Sequence, residues 1–228
     1  MKILYAIQGT GNGHISRALE IVPHLQEKGK VDVLVSGSQW ELQTPFPIKY
    51  NLHGFGFVFG KKGGVDILRT YLRMDSAKLL REIRELPVDK YDLVISDFEP
   101  VSAWACQLRK VPCIGLSNQA VTLHPLAPRP ESTDHFGKLI LEKYAPVTSS
   151  YGFHFRRFDD SVYTPIIGND LRNEEITRKE HITVYLPSYS DERIINKLWH
   201  YKDLSFRIFS KKTKTAYRER NFWVLPPD

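Results

Sequence analysis

Short apolar runs and longer amphipathic segments alternate along most of this chain. "KILYAI" (2–7) and "VDVLVSG" (31–37) are apolar and β-branched at successive positions, the pattern of strands buried on both faces of a parallel sheet. Between them Ile15, Leu19, Val22, His24 and Leu25 recur at roughly helical spacing, and the repeat stops at "KGK". The three segments read as a β-α-β unit. An extended stretch over about 48–59 follows, and a charged helix near 76–86 ("SAKLLREIREL") leads into a fourth strand, "YDLVISD" (91–97). "PVSAWACQLRK" (100–110) opens with proline at a first helical position, where its missing N–H costs nothing. It feeds a fifth strand, "VPCIGLSN" (111–118). Strands and helices alternating in this way predict an α/β fold, a Rossmann-like doubly wound parallel sheet with helices on both sides.

Beyond 118 the rhythm loosens. Residues 119–150 are irregular and proline-rich apart from a helix over 135–145, and 151–158 and 162–167 add extended pieces. The polar, charged and weakly periodic stretch 168–181 reads as a linker. The alternation then restarts, with a strand at 182–187, a helix at 191–201, and strands at 205–210 and 222–226. The predicted organisation is therefore an N-terminal domain over 1–167, the linker 168–181, and a partial second Rossmann-like domain over 182–228. Three strands and one helix in about 60 residues bury too little surface for a free-standing domain, so this second part is expected to be incomplete.

Composition narrows the class. With 42% apolar and 12% aromatic residues in 228, the chain can bury an ordinary core and is not of the disordered type. Its apolar runs are strand-sized, well below the roughly 18 residues that span a bilayer, and "MKILYAIQ" is too short for a signal peptide, so a cytoplasmic location is expected. Cys106 and Cys113 each lie in an apolar segment and read as reduced core residues, and no His/Asp/Glu cluster has metal-ligand spacing. A net charge of +6 and a pI near 9.2 invite a nucleic-acid partner. The excess is divided evenly about Ile167 and Gly168 rather than gathered in an arm, so no nucleic-acid partner is expected. "KKTKTAYRER" (211–220) reads as a solvated loop. "NLHGFGFVFGKKGG" (51–64) is either a strand and turn or a surface for an anionic membrane or an amphiphilic substrate.

The chemistry concentrates after the first strand, in "QGTGNGHISR". Gly9, Gly11 and Gly13 either make a tight strand-to-helix turn or let backbone N–H groups and the helix N-terminus approach a ligand. The spacing G-x-G-x-G-H is not the dinucleotide fingerprint, "SGSQW" after the second strand has no acidic ribose partner, and a P-loop is excluded. His14 is placed at the positive end of the helix dipole, which favours the neutral ring that a general base needs; capping and packing remain alternative roles. In the strand order 3-2-1-4-5 the first and fourth strands are neighbours, so Asp97 in "SDFEP" emerges beside His14 although 83 residues separate them. Asp97 is a candidate to orient the imidazole or, alternatively, to cap the following helix, and Glu99 competes for the orienting role.

These residues carry a resemblance. "YAIQGTGNGHISRALEIVPHL" resembles the first strand, glycine loop and helix of GT-B glycosyltransferases, in particular the bacterial UDP-glycosyltransferase and MurG-like enzymes. "YDLVISDFEPVSAWACQLRKVPCIGLSN" resembles their fourth strand, helix and fifth strand, and "HITVYLPSYSDERIINKL" with "FRIFS" and "NFWVLP" is similar to the opening of their second domain. The resemblance implies that His14 deprotonates an acceptor hydroxyl, that Asp97 steadies it, and that a hexose is transferred with inversion from a nucleotide-diphosphate sugar, expected to be a UDP-sugar. It implies substrate contacts from Gly11, Asn12 and Gly13 in the loop, from Glu99, and from Ser117, Asn118 and Gln119 after the fifth strand. No metal or further cofactor is implied. The donor is held mainly by later parts of the second domain in such enzymes, so little transfer is expected of these 228 residues alone. The acceptor is unspecified, and the 51–64 stretch favours an amphiphilic one at the inner membrane face. The competing functions are a non-catalytic sugar- or nucleotide-binding module of the same fold and, less favoured by the loop spacing, an NAD(P)-dependent oxidoreductase.

Overall fold

The computed structural model describes residues 1–37, 40, 42–56, 75–128, 135–187 and 189–226, the side chains of His135 and Phe136 aside. They form two compact units, one reaching Asn173 and the other starting at Glu174, so the division falls inside the stretch read as a linker. Residues 57–64 of the aromatic and basic stretch lie outside the described residues.

The first unit contains β1 (Lys2–Gln8), α1 (Asn12–Gln26), β2 (Lys30–Ser36), β3 (Ile48–Leu52), α2 (Ser76–Glu85), β4 (Leu93–Asp97) and α3 (Pro100–Arg109). It continues with β5 (Cys113–Leu116), α4 (Asn118–Thr122), α5 (His135–Lys143), β6 (Ser149–Phe153), β7 (Val162–Tyr163) and a single turn, α6 (Asn169–Arg172). The strands form one sheet in the order β3-β2-β1-β4-β5-β6-β7, and every pair is parallel. The doubly wound order places the reversal of strand order between β1 and β4, which is where such sheets open a crevice at their carboxyl ends.

Period-two alternation in β1 builds both faces of this sheet. Ile3, Tyr5 and Ile7 pack with Val33 and Val35 under Ile15, Ala18 and Val22 of α1. Leu4 and Ala6 join Leu34, Val94, Val101, Ala105 and Cys106 on the other side. Strand residues buried on two faces each contribute roughly 1.5–3 kcal/mol of apolar burial, which makes β1 the spine of the unit. The two cysteines are free and buried, as their apolar setting predicts.

Local differences from the sequence pattern have identifiable causes. Helix α1 starts at Asn12, ahead of Ile15, the first apolar position of the repeat, and His24 is solvent-exposed rather than part of the apolar face. Ala18 and Ile21 join the predicted Ile15, Leu19, Val22 and Leu25 on that face instead. The segment read as irregular after β5 contains the short α4, started by the Ser117 hydroxyl accepting from the Ala120 N–H. Such a cap is available to any Ser in a loop, and only the fold selects this one.

The second unit holds β8 (Ile182–Tyr185), α7 (Asp191–Leu198), β9 (Phe206–Phe209), β10 (Tyr217–Glu219) and β11 (Phe222–Leu225). Its sheet order is β10-β11-β9-β8, with β8, β9 and β11 parallel and β10 antiparallel. Phe206, Ile208, Phe222 and Val224 make its core with Ile194 and Ile195 of α7. Part of "KKTKTAYRER" is therefore a strand rather than a solvated loop. Arg220 adopts a left-handed φ of 53° at the hairpin, and the exposed Tyr217, Arg218 and Glu219 carry no apolar face for periodicity to detect, since charged residues suit an edge strand.

Among the described residues, no helix is long and apolar enough to cross a membrane.

Candidate active site

The crevice between β1 and β4 is built from the backbone outward. The Gly9 N–H donates to the Ser36 carbonyl at 2.6 Å, and a Cβ on Gly9 would stand 2.9 Å from that same oxygen and from the Trp40 ring. Gly9 is thus the residue that the tight turn requires. Gly11 and Gly13 differ, because a Cβ on either meets nothing within 4 Å. Gly11 caps α1 without any side-chain hydrogen bond, so His14, in the first turn of α1, does not act as a cap. No packing need explains the two later glycines, and bare backbone at a helix N-terminus leaves room for an oxygen ligand.

Pairing of Ile7 with Asp97 brings the end of β4 beside the glycine loop. The His14 Nδ1 lies 2.9 Å from the Asp97 Oδ1, as the strand order predicts. A third residue joins them. The Arg17 Nε donates to Asp97 Oδ2 at 2.9 Å, its Nη2 donates to Oδ1 at 2.6 Å, and that Nη2 also stands 3.0 Å from the His14 Nδ1. Asp97 is fully buried, and the His14 and Arg17 side chains are 13% and 9% exposed. Burial alone would lower the Arg17 guanidinium, but the charge and hydrogen bonds of Asp97 outweigh it and hold the group above its ordinary value. The Tyr5 hydroxyl is buried beside this pair and held well above its usual range by desolvation, with the Asp97 charge adding to it.

The turn after β4 decides which carboxylate does what. Phe98 takes a left-handed φ of 57°, a conformation that costs a non-glycine residue about 1–2 kcal/mol. The Ser96 hydroxyl locks this turn by donating to the Glu99 carbonyl and accepting from the Glu99 N–H, both at 2.9 Å. Glu99 then caps α3, its two carboxylate oxygens accepting from the Val101 and Ser102 N–H groups at 2.8 and 2.6 Å. Two expectations are corrected: Asp97 is not the helix cap, and Glu99 neither orients His14 nor faces a substrate. Glu99 is fully buried, and burial lifts its carboxyl above the ordinary value against the hydrogen bonds from α3.

Of the residues after β5, Gln119 joins the site, with its side-chain nitrogen 3.5 Å from the His14 Nε2. Asn118 is exposed at the start of α4. Ser117 is buried and engaged as the α4 cap, although it lines the same cavity as Gln119. That cavity measures about 220 Å³, and Phe98, Gly115, Leu123 and Glu142 also contribute to its wall. Phe98 is fixed there by its ring contact with Tyr144, at 4.7 Å between centroids. Asn12 is the first residue of α1, at the mouth of the loop.

Three contacts bear on the ring: the Arg17 Nη2 can only donate toward Nδ1, whereas the Asp97 and Gln119 contacts together fit the tautomer protonated at Nδ1. A carboxylate at Nδ1 accepts a proton from it, and an amide N–H at Nε2 needs a lone pair to accept it. With Nδ1 protonated toward Asp97, Nε2 is the basic nitrogen, on the side where Gln119 lines the cavity. Sequence reasoning missed Arg17 and Tyr5. The signal for Arg17 was its i+3 spacing from His14, which puts both on one helix face.

A family model described as Glycosyl transferase family 1 matches residues 1–226. No curated protein matches the chain. Among solved structures, MurG of Acinetobacter baumannii aligns with a TM-score of 0.45 at 14% identity, covering 100% of this chain and 68% of that one. The glycosyltransferase SnogD from Streptomyces nogalater aligns with a TM-score of 0.45 at 12% identity over 100% and 72% of the two chains. The glycosyltransferase SsfS6 from Streptomyces sp. SF2575 does so with 0.42 at 14% identity over 99% and 71%.

Proposed function

The chain belongs to glycosyl transferase family 1, and from that premise we propose that it contributes the acceptor side and the general base of an inverting, nucleotide-sugar-dependent transferase. The observation that carries this reading is the His14–Asp97 contact at 2.9 Å with the opposite ring nitrogen turned to Gln119 and its cavity. In the proposed step His14 Nε2 takes the proton of an acceptor hydroxyl while its oxygen attacks the anomeric carbon of the donor sugar. The bond from that carbon to the diphosphate oxygen breaks, and the nucleotide diphosphate leaves with the electron pair. Attack from the face opposite the leaving group inverts the anomeric centre. The sugar is proposed to be a hexose and the nucleotide uridine diphosphate.

Asp97 holds the imidazole in the tautomer this step needs. The open positions at Gly11 and Gly13 leave their backbone accessible to a substrate oxygen at the start of α1. Ser117 and Asn118 have less to offer as acceptor contacts, because one is engaged as a helix cap and the other is exposed outside the wall of the cavity. The aromatic and basic residues of 51–64 support an amphiphilic acceptor near an anionic membrane surface. Flotation with anionic vesicles at low salt is expected to carry the protein upward, and retention in the soluble fraction counts against that acceptor.

The decisive assay follows nucleotide release from a panel of UDP-hexoses, with and without candidate acceptors. His14→Gln is expected to lower the rate 10²–10⁴-fold, the usual contribution of a positioned general base. An unchanged rate in His14→Gln would remove the base assignment. Binding of the nucleotide-sugar with no turnover in the unaltered protein would favour the non-catalytic module instead.

A further inference from the structure

We propose that Arg17 is a positioning residue of this site, one that locks the buried Asp97 carboxylate in a two-point fork and offsets the charge it presents to the His14 ring. The proposal rests on the reading of His14 as the base, but its central measurement does not.

The fork is complete. Arg17 presents Nε to one carboxylate oxygen of Asp97 and Nη2 to the other, at 2.9 and 2.6 Å, and these planar paired contacts fix both the position and the rotation of the acceptor. His14 shares Oδ1 with Nη2, so the imidazole hangs on an oxygen whose place is already set. The guanidinium is itself held from behind, with its central carbon 5.5 Å from the centre of the Phe153 ring.

The electrostatic consequence separates this site from a simple carboxylate–imidazole pair. An unshared aspartate beside a histidine stabilises the imidazolium and so raises the pH at which the ring takes a proton. Here the carboxylate charge is already matched by Arg17, and the guanidinium nitrogen stands 3.0 Å from Nδ1. The groups facing the ring and its carboxylate are Asp97 from β4, Arg17 from α1, the neutral amide of Gln119 from α4, and the Tyr5 hydroxyl of β1, which keeps its proton. Their sum is close to zero. Asp97 therefore orients the ring through a carboxylate whose charge Arg17 already offsets. The same balance obliges the charge that develops on His14 during transfer to be offset by the departing diphosphate rather than by Asp97 alone.

A purely structural ion pair would stabilise the fold without controlling the ring, and the two accounts differ in a titration. The carbon-bound ring proton of His14, assigned by its loss in His14→Gln, is followed by NMR against pH in the unaltered protein and in Arg17→Met, Arg17→Lys and Arg17→Gln. Arg17→Met is expected to move the midpoint up by about one pH unit, since it removes a nearby cation and leaves the Asp97 charge unshared. Arg17→Lys, which keeps the charge and loses the fork, should give a smaller rise. If Arg17→Met does not fold, Arg17→Gln, whose amide still donates to the carboxylate, carries the test and should also titrate higher than the unaltered protein. An unchanged or lower midpoint in the folded neutral variant overturns the proposal. A raised midpoint together with full activity of His14→Gln would leave Arg17 in control of the ring and remove the base reading. An unmoved midpoint with an inactive His14→Gln would do the reverse.

Discussion

Two clusters in the first unit are built on one plan and end differently. At the carboxyl end of β4, Asp97 is gripped by Arg17 and touched by His14. In β2, Asp32 accepts from the Lys49 Nζ at 2.5 Å and from the Tyr91 hydroxyl at 2.8 Å, with the Tyr50 hydroxyl 3.1 Å from that of Tyr91. Each is a carboxylate held by one cation and one ring. In the Asp32 cluster the hydroxyls serve the carboxylate and each other, and the lysine side chain is 43% exposed to water. In the Asp97 cluster the ring turns its second nitrogen toward Gln119, which lines a cavity. What marks a site is therefore less the perturbed charge than a valence left over and pointed at space.

The sharpest way to break this comparison is to remove each carboxylate. Asp97→Ala strands the Arg17 guanidinium at 9% exposure and should cost about 3–5 kcal/mol in urea unfolding, the usual penalty for orphaning one member of a buried pair. Asp32→Asn leaves a lysine that can turn to solvent, so its cost should be nearer 1–2 kcal/mol, most of it the weakened hydrogen bond from Tyr91. Equal losses in the two variants would show that the clusters are energetically the same and undo the distinction.

A pH series sharpens it further. Burial works to raise the Asp32 carboxyl, but the hydrogen bonds from Lys49 and Tyr91 prevail and hold it below its ordinary value. A depressed carboxyl contributes stability that is full above the unfolded value, about pH 4, and is lost as the pH falls through the lower folded value. Asp32→Asn should therefore narrow its deficit relative to the unaltered protein on titration from pH 5 to pH 2, measured as thermal midpoints. A constant deficit across that range would mean that Asp32 acts through packing alone. The smallest effect is expected of Lys49→Arg, within about 1 kcal/mol, because it keeps a cation against the Asp32 carboxylate from a side chain that is partly solvated.

Alternation of apolar runs and amphipathic helices was enough to place five strands of the first unit, and the common doubly wound order 3-2-1-4-5 then brought His14 and Asp97 together at the switch point. That inference worked because periodicity reports burial, and burial on both faces of a parallel strand leaves few topologies to consider. The second unit shows its limit. Strand β10, exposed throughout, has no apolar period, and only its pairing with β11 makes it a strand.

The amino-acid order by itself determined the α/β class, the glycine loop at the start of α1 and the meeting of two residues far apart in the chain. Tertiary structure alone decided that Gly9 is the steric glycine while Gly11 and Gly13 face open space, that Glu99 rather than Asp97 caps α3, and that Arg17 closes on the same carboxylate as His14. The reason is physical: spacing along a chain sets which residues can share a face, whereas the φ of Phe98, the lock at Ser96 and the depth of burial set which atoms of that face touch.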